Sequence, residues 1–322
     1  MLLDKVDLKL LYLLDKNART SYNTIGRQLG ISKQAVKKRL EHLVSKGIIK
    51  YFMTTLDLSC NGMILSQIFI ALQNSSNEKK KEIVSYLKNN NKILQVAVCE
   101  GTFDIFFGIF GTTNSEIDIE LSKFTTAYSG EIKEKKIIFF LETRLYTRDY
   151  LINEKRALNI INKGFHYRNN KLFPINKLEM DILKCLAEDT RMSFTKISEE
   201  LKTSVQNISN KVHYLEDNKI ICGYNYLLNE KIFLQYLILL QLGKLDQRLE
   251  HSIFSFLETH PNVIFVVRSM GEYDFEIILE CRDLAVYISF VEEFKQLFGK
   301  DITGFIPLHV TDFCKLNFNP KP

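Results

Sequence analysis

The sequence predicts an α+β chain in which two winged helix-turn-helix domains alternate with two ferredoxin-like βαββαβ sandwiches. Three observations carry this. A shift of 172 residues lays residues 7–49 over 179–221 without a gap, with identical pairs that include Leu11/Leu183, Leu14/Leu186, Arg19/Arg191, Ser21/Ser193, Ile25/Ile197, Ser32/Ser204, Gln34/Gln206 and Leu43/Leu215. Most are apolar and return at helical spacing, as a shared core requires. The repeat then continues, Gly101-Thr102-Phe103-Asp104 matching Gly271-Glu272-Tyr273-Asp274 at a shift of 170. After each helical segment, strand and helix signals alternate in the order β-α-β-β-α-β.

In the first copy, Leu10, Leu11 and Leu14 mark one face of a first helix. Ser21 is placed to cap a second helix that runs to Leu29, and Gly30 to end it in the left-handed conformation. Ser32 caps a third, whose core stripe is Val36, Leu40 and Leu43. Two short helices joined by a tight turn describe a helix-turn-helix. A short strand at 48–51 makes it a winged variant. Strands follow at 65–72, 93–99, 104–110 and 137–141, with helices at 79–89 and 116–128. The second copy has strands at 236–242, 263–268, 275–280 and 305–311, and helices at 247–259 and 284–298. The domains are therefore 1–55, 56–150, 178–228 and 229–322. A basic linker at 151–177 joins the copies, with six Lys and Arg against one acid between residues 153 and 177.

The chain has 322 residues and a formal net charge of +5. No apolar run approaches the roughly 18–20 residues that cross a bilayer, and the apolar N-terminus is interrupted by Asp4, Lys5, Asp7 and Lys9, unlike a secretion signal. The expectation is a cytoplasmic protein without a membrane partner. The six cysteines, Cys60, Cys99, Cys185, Cys222, Cys281 and Cys314, lack metal-ligand spacing and read as buried thiols. No metal and no cofactor is expected.

A whole-chain charge of +5 implies no partner; its placement does. Residues 20–50 carry Arg27, Lys33, Lys37, Lys38, Arg39, Lys46 and Lys50 against Glu41, a net +6, whereas residues 192–222 balance to zero. A basic patch supplies the sequence-independent part of affinity for DNA. Lys33, Gln34, Lys37 and Lys38 lie opposite the core stripe of the third helix, where Gln34 can reach adenine edges and the lysines phosphate or guanine. Arg39 sits beside the stripe and suits bracing as well as contact. In the second copy Lys202 replaces the helix-ending glycine and is strained by roughly 1 kcal/mol. Its third helix offers the uncharged amides Gln206, Asn207 and Asn210.

The run Asp7-x-x-Leu10-Leu11-x-x-Leu14 through Arg19, Ile25-x-x-x-Leu29-Gly30-Ile31-Ser32, Arg39-x-x-x-Leu43, Gly47-Ile48-Ile49-x-x-Phe52 and Gly101-x-x-Asp104 resembles the leucine-responsive regulatory protein/asparagine regulator (Lrp/AsnC) class of prokaryotic transcription factors. The resemblance covers nearly the whole chain, twice. It implies a regulator of double-stranded DNA. Ser32, Lys33, Gln34, Lys37, Lys38, Arg39 and Lys50 would be the main contacts, and Gln206, Asn207 and Asn210 minor ones. It also implies an amino-acid effector near the Gly-x-x-Asp turns, with Gly101, Asp104, Gly271 and Asp274 as candidates, against the alternative that the aspartates merely brace tight turns. Because members of the class usually pair through the sandwich, the tandem copy implies an intramolecular pseudo-dimer or a homodimer.

Two other classes fit the sequence less well. Sirohaem decarboxylases share the architecture, but the Arg/His/Tyr/Asn/Trp-rich strand which that family implies is replaced by Val98–Asp104, and the chain has no tryptophan. The six histidines are scattered, and neither G-x-G-x-x-G nor a P-loop occurs, so no catalytic residue is expected. A regulator that binds only protein would use strand faces such as Phe139-Phe140-Leu141, which more simply form the interface between the two sandwiches.

Overall fold

A computed structural model describes residues 3–154, 156 and 173–316. Most of the basic linker, including Lys155, Lys163, Arg168 and Lys171, lies outside the described residues.

The first copy opens with α1 (Lys5–Lys16), α2 (Tyr22–Leu29) and α3 (Lys33–Ser45). Their ends follow from the sequence. Asp4 and Asp7 form a reciprocal capping box on α1, and the Ser21 and Ser32 hydroxyls accept the N–H of Thr24 and Ala35. Gly30 closes α2 at φ 68°. Leu10, Leu11, Leu14, Ile25, Val36, Leu40 and Leu43 are buried as one core. Then come β1 (Ile49–Leu56), β2 (Ile64–Leu72), α4 (Asn77–Asn89), β3 (Ile93–Gly101), β4 (Ile105–Gly111), α5 (Asn114–Ala127) and β5 (Ile132–Leu145). The second copy repeats the order with α6 (Lys177–Glu188), α7 (Phe194–Glu200), α8 (Val205–Asp217), β6 (Ile221–Leu228), β7 (Leu234–Leu242), α9 (Gln247–Thr259), β8 (Val263–Gly271), β9 (Phe275–Cys281), α10 (Leu284–Phe298) and β10 (Ile302–Leu316). Lys202 takes the left-handed conformation, at φ 52°, that its alignment with Gly30 requires.

Two expectations change. The sandwiches do not stack face to face: their sheets join edge to edge into one closed antiparallel barrel, ordered β10-β3-β4-β2-β5-β8-β9-β7. The reason is strand length. β5 and β10 run well beyond the expected 137–141 and 305–311, so each pairs with its own copy on one side and with the other copy on the other, β5 with β2 and β8, β10 with β7 and β3. Both copies thereby lose their exposed edges. The strand after each helix-turn-helix is likewise not a local wing, because β1 pairs antiparallel with β6 and the two form a separate ribbon.

Strand alternation then sorts the side chains. Ile68, Ile70 and Phe107 face outward onto α4 and α5, and Ile238, Leu240 and Phe275 onto α9 and α10. Phe69, Phe106, Phe140, Leu239 and Val310 fill the barrel. The turns at 101–104 and 271–274 meet at one end, where Phe69 contacts both Phe103 and Tyr273 at ring-centroid distances of 5.7 and 6.1 Å.

Candidate nucleic-acid interface and effector cavity

On α3, Ser32, Lys33, Gln34, Lys37 and Lys38 are all exposed, while Val36, Leu40 and Leu43 on the opposite stripe are buried. Helical periodicity thus gathers the expected contacts on one face. Lys37 lies 3.7 Å from Glu41, one exposed turn away, a pairing too weak to withhold it from phosphate.

Two expected contacts are committed elsewhere. Arg39 donates to Asp7 at 2.7 Å and Asp4 at 2.8 Å, and these bonds raise its pKa. The second copy makes the same brace with Lys211 and Glu179 at 2.9 Å, which marks it as structural. Lys50 lies on β1, and its ammonium holds Asp312 at 2.7 Å and the buried Glu230 at 3.1 Å. Burial opposes the Lys50 charge, but these carboxylates outweigh it and raise the pKa. Its counterpart in the second copy is Cys222, so this tie exists once.

On α8 the amides are partly self-satisfied. Gln206 donates to Asn210 at 2.8 Å, and Asn207 donates to Thr203 at 3.0 Å. The second reading head therefore presents less charge and fewer unengaged donors than the first.

A pair of residues shared by the repeat holds the heads together. Arg19 donates to the carbonyls of Thr190 and Met192 at 2.5 and 2.9 Å, and Arg191 donates to those of Ala18 and Thr20. Each guanidinium also lies over aromatic rings, Arg19 over Phe194 and Arg191 over Tyr22. Arg19 and Arg191 were visible as an identical pair in a polar loop, but only the fold shows that each reaches into the other's head.

The Gly-x-x-Asp turns serve the fold. Asp104 Oδ2 accepts the Leu72 N–H and Asp274 Oδ2 the Leu242 N–H, both at 2.8 Å, and Lys80 holds the other Asp104 oxygen at 3.1 Å. Gly101 and Gly271 sit at φ 133° and 128° where the copies meet. A Cβ on Gly101 would stand 3.0 Å from the Pro307 oxygen, and one on Gly271 2.6 Å from the Ile137 oxygen. Asp104 and Asp274 thus brace their turns, and Gly101 and Gly271 stand where a side chain would meet the other copy's backbone.

At the other end of the barrel, beneath the β1/β6 ribbon, lies a cavity of about 100 Å³. Asp15, Arg148, Gln95, Gln235, Thr55, Thr147 and Asn225 line it together with apolar residues such as Met53, Leu227, Phe265 and Phe313. Behind it Arg148 Nε donates to Glu280 at 2.6 Å and Nη1 to Asp15. Tyr150 and Gln235 donate to the same Glu280 carboxylate. Burial works against the Arg148 charge, but Glu280 and Asp15 hold its pKa well above the ordinary value. Deeper in the barrel, Gln95 donates to Gln67 and Gln67 to Glu276 at 2.8 Å. Burial raises the Glu276 pKa to about 8 despite that bond, and its Oε1 has no partner. Sequence reasoning missed this network because its members are scattered through β2, β3, β7, β9 and the segment after β5.

A helix-turn-helix with an exposed basic face, clasped to a second, uncharged head of the same form, defines a DNA-binding protein of helix-turn-helix type. A model of winged helix-turn-helix DNA-binding domains matches residues 3–50. The HTH-type transcriptional regulator Ptr1 of Methanocaldococcus jannaschii is 35% identical over 103 residues, 32% of this chain and 68% of that one. The HTH-type transcriptional regulator LysM of Sulfurisphaera tokodaii is 35% identical over 121 residues, 36% of this chain and 79% of that one. The chain belongs to the HTH-type transcriptional regulators of the Lrp/AsnC family. The crystal structure of the siroheme decarboxylase NirDL aligns over 98% of this chain and 94% of its own, with a TM-score of 0.58 at 11% identity. That likeness is one of fold. Among the described residues, no helix is long and apolar enough to cross a membrane.

Proposed function

We propose that the protein regulates transcription by docking α3 of its first head in the major groove of double-stranded DNA, with α8 as a weaker second contact. The supporting observation is the exposed face Ser32, Lys33, Gln34, Lys37 and Lys38, set against the uncharged, internally bonded amides of α8. Lys33, Lys37 and Lys38 supply phosphate affinity and Gln34 base contact. The intramolecular pseudo-dimer fixes the spacing between heads, and a small amino-acid effector modulates occupancy by favouring one arrangement. On this reading the chain acts by binding and not by turnover, inside the cell where its DNA lies.

The test is a titration of the full chain against genomic fragments at two salt concentrations. Specific binding with a salt slope of several phosphates is expected. Absence of binding at low salt, or a tetrapyrrole absorption band in the purified protein, would sink the reading.

A further inference from the structure

In the β1/β6 ribbon Met53 pairs with Asn225, and the shift of 172 residues carries one onto the other, so a local twofold axis passes through that pair. The clasp obeys the same axis. Arg19 reaches Thr190 and Arg191 reaches Ala18, and both the two donors and the two acceptors are related by the shift of 172. Heads related in this way present their third helices to one duplex with opposite polarity, the arrangement that reads an inverted repeat. The backbone alone would make the two half-sites alike; the side chains make them differ.

The opening turns of α3 and α8 share one residue and differ around it. Gln34 and Gln206 hold the same place, but Lys33 is matched by Val205, and Lys37 and Lys38 by Ser209 and Asn210. Ile208, Val212 and Leu215 turn into the core, whereas Val205, the first residue of α8, stands 43% exposed. Gln206 spends one amide hydrogen on Asn210 at 2.8 Å, a bond that orients the amide and does not consume its second hydrogen or its oxygen. No such partner follows Gln34, since the residue one turn on is Lys38. The second head thus sets an oriented donor and acceptor beside an exposed apolar side chain, where the first sets charge.

We propose that Val205 is a specificity-determining residue: it packs on the C5 methyl of a thymine while Gln206 pairs with a neighbouring adenine, so that the operator is an inverted repeat with unlike halves. The inference rests on the regulator reading above and assigns the second head its part in it. The thymine methyl is the apolar group that a base pair shows in the major groove, and adenine offers there the N7 acceptor and N6 donor that a glutamine amide matches. Both half-sites carry an adenine for the shared glutamine, but only that of α8 requires a thymine beside it; the first-head counterpart Lys33 takes phosphate or guanine instead. The partner is the same duplex, because α8 holds in the second head the place that α3 holds within the DNA-binding domain matched at residues 3–50. A protein partner suits the spot poorly: Ser204, Gln206 and Ser209 flank Val205 and leave little apolar area for one.

The test selects duplexes from a random pool with the full chain, then rebuilds the enriched duplex with deoxyuridine in place of thymine, one half at a time, which removes only the methyl groups. Uracil in one half is expected to weaken binding about threefold, as the loss of one buried methyl contact does, and uracil in the other half to leave it unchanged. Val205→Ser should bind the thymine duplex about as weakly as the unaltered chain binds the uracil duplex, and should no longer distinguish the two. Val205→Lys should also lose the distinction and should steepen the salt slope by about 1. Because the side chain is exposed, both variants should keep cooperative melting. Gln206→Ala should relax the preference for the adenine beside that thymine. Enriched duplexes with identical halves, uracil tolerated in both halves, or a uracil penalty that persists in Val205→Ser would each overturn the inference and leave the regulator reading standing. Failure to enrich any duplex at low salt overturns the regulator reading and this inference with it.

Discussion

The two reading heads share a backbone and differ in charge and attachment. In the first, Leu10, Leu14, Ile25, Val36 and Leu43 pack with Tyr150, Leu151, Tyr226, Leu228 and Phe233 in a core separate from the barrel interior, and buried polar groups add to the joint: Asp15 with Arg148, and Tyr12 with Asp149. In the second, Ile182, Leu186, Ile197, Val212 and Leu215 are continuous with the apolar interior of the barrel. The second head's attachment is mostly area burial, which has no preferred direction, whereas the first head's adds a buried ion pair and a tyrosine hydrogen bond whose strength depends on geometry. Duplication therefore supplied two heads, and divergence made one basic and polar-tethered, the other neutral and fused to the core.

The largest effect that separates the copies is titration. Glu276 occupies the position that Phe106 fills in the first copy. Its pKa rises from 4.5 unfolded to about 8 folded, so between those values the folded state binds more protons than the unfolded state. The Glu276 contribution to stability therefore falls as pH rises through that window, by roughly 3–5 kcal/mol once complete, while His260, whose pKa burial lowers to about 4, adds stability only up to about pH 6.5. Denaturant unfolding from pH 5 to 9 checks this. Glu276→Gln should flatten the profile, and an unchanged profile would break the contrast between the two barrel halves.

DNA affinity comes next. Lys37→Ala with Lys38→Ala should weaken binding by roughly tenfold to a hundredfold and lower the salt slope by about 2, while Gln206→Ala with Asn210→Ala should cost less than about threefold at the same salt and leave the slope unchanged. The converse sharpens the point. Ser209→Lys with Asn210→Lys, placed at the positions of Lys37 and Lys38, should raise affinity and steepen the slope, read by the same titration.

The smallest effect is conformational. Lys202→Gly relieves a left-handed side chain and should stabilise the second head by about 0.5 kcal/mol, while Gly30→Ala should destabilise the first by about 1 kcal/mol. Thermal melting of each variant gives the sign; equal signs would mean that the two helix ends are not equivalent.

Much of this was legible beforehand because it rests on local periodicity. The Ser21, Ser32, Ser193 and Ser204 caps, the left-handed Gly30 and Lys202, and the exposed face of α3 all follow from residues a few positions apart. Arg39 was open because a position beside the core stripe suits both brace and contact, and its acceptors, Asp4 and Asp7, lie 35 and 32 residues away. Lys50 misled for the same reason at longer range, since Glu230 and Asp312 are 180 and 262 residues distant. The strand signals were sound, but no local pattern states which edge a strand will pair with.

The sequence by itself determined two copies of one module, their order of helices and strands, and the concentration of positive charge in the first head. Tertiary structure alone decided that β5 and β10 close the two sheets into a barrel, that β1 and β6 cross between copies, that Arg19 and Arg191 clasp the heads, and that Asp15, Gln67, Gln95, Arg148, Glu276 and Glu280 converge below the ribbon. Periodicity tells a side chain which face to take, because it reflects the geometry of one element. Which residue waits on that face is set by chain closure over hundreds of positions, and only packing resolves it.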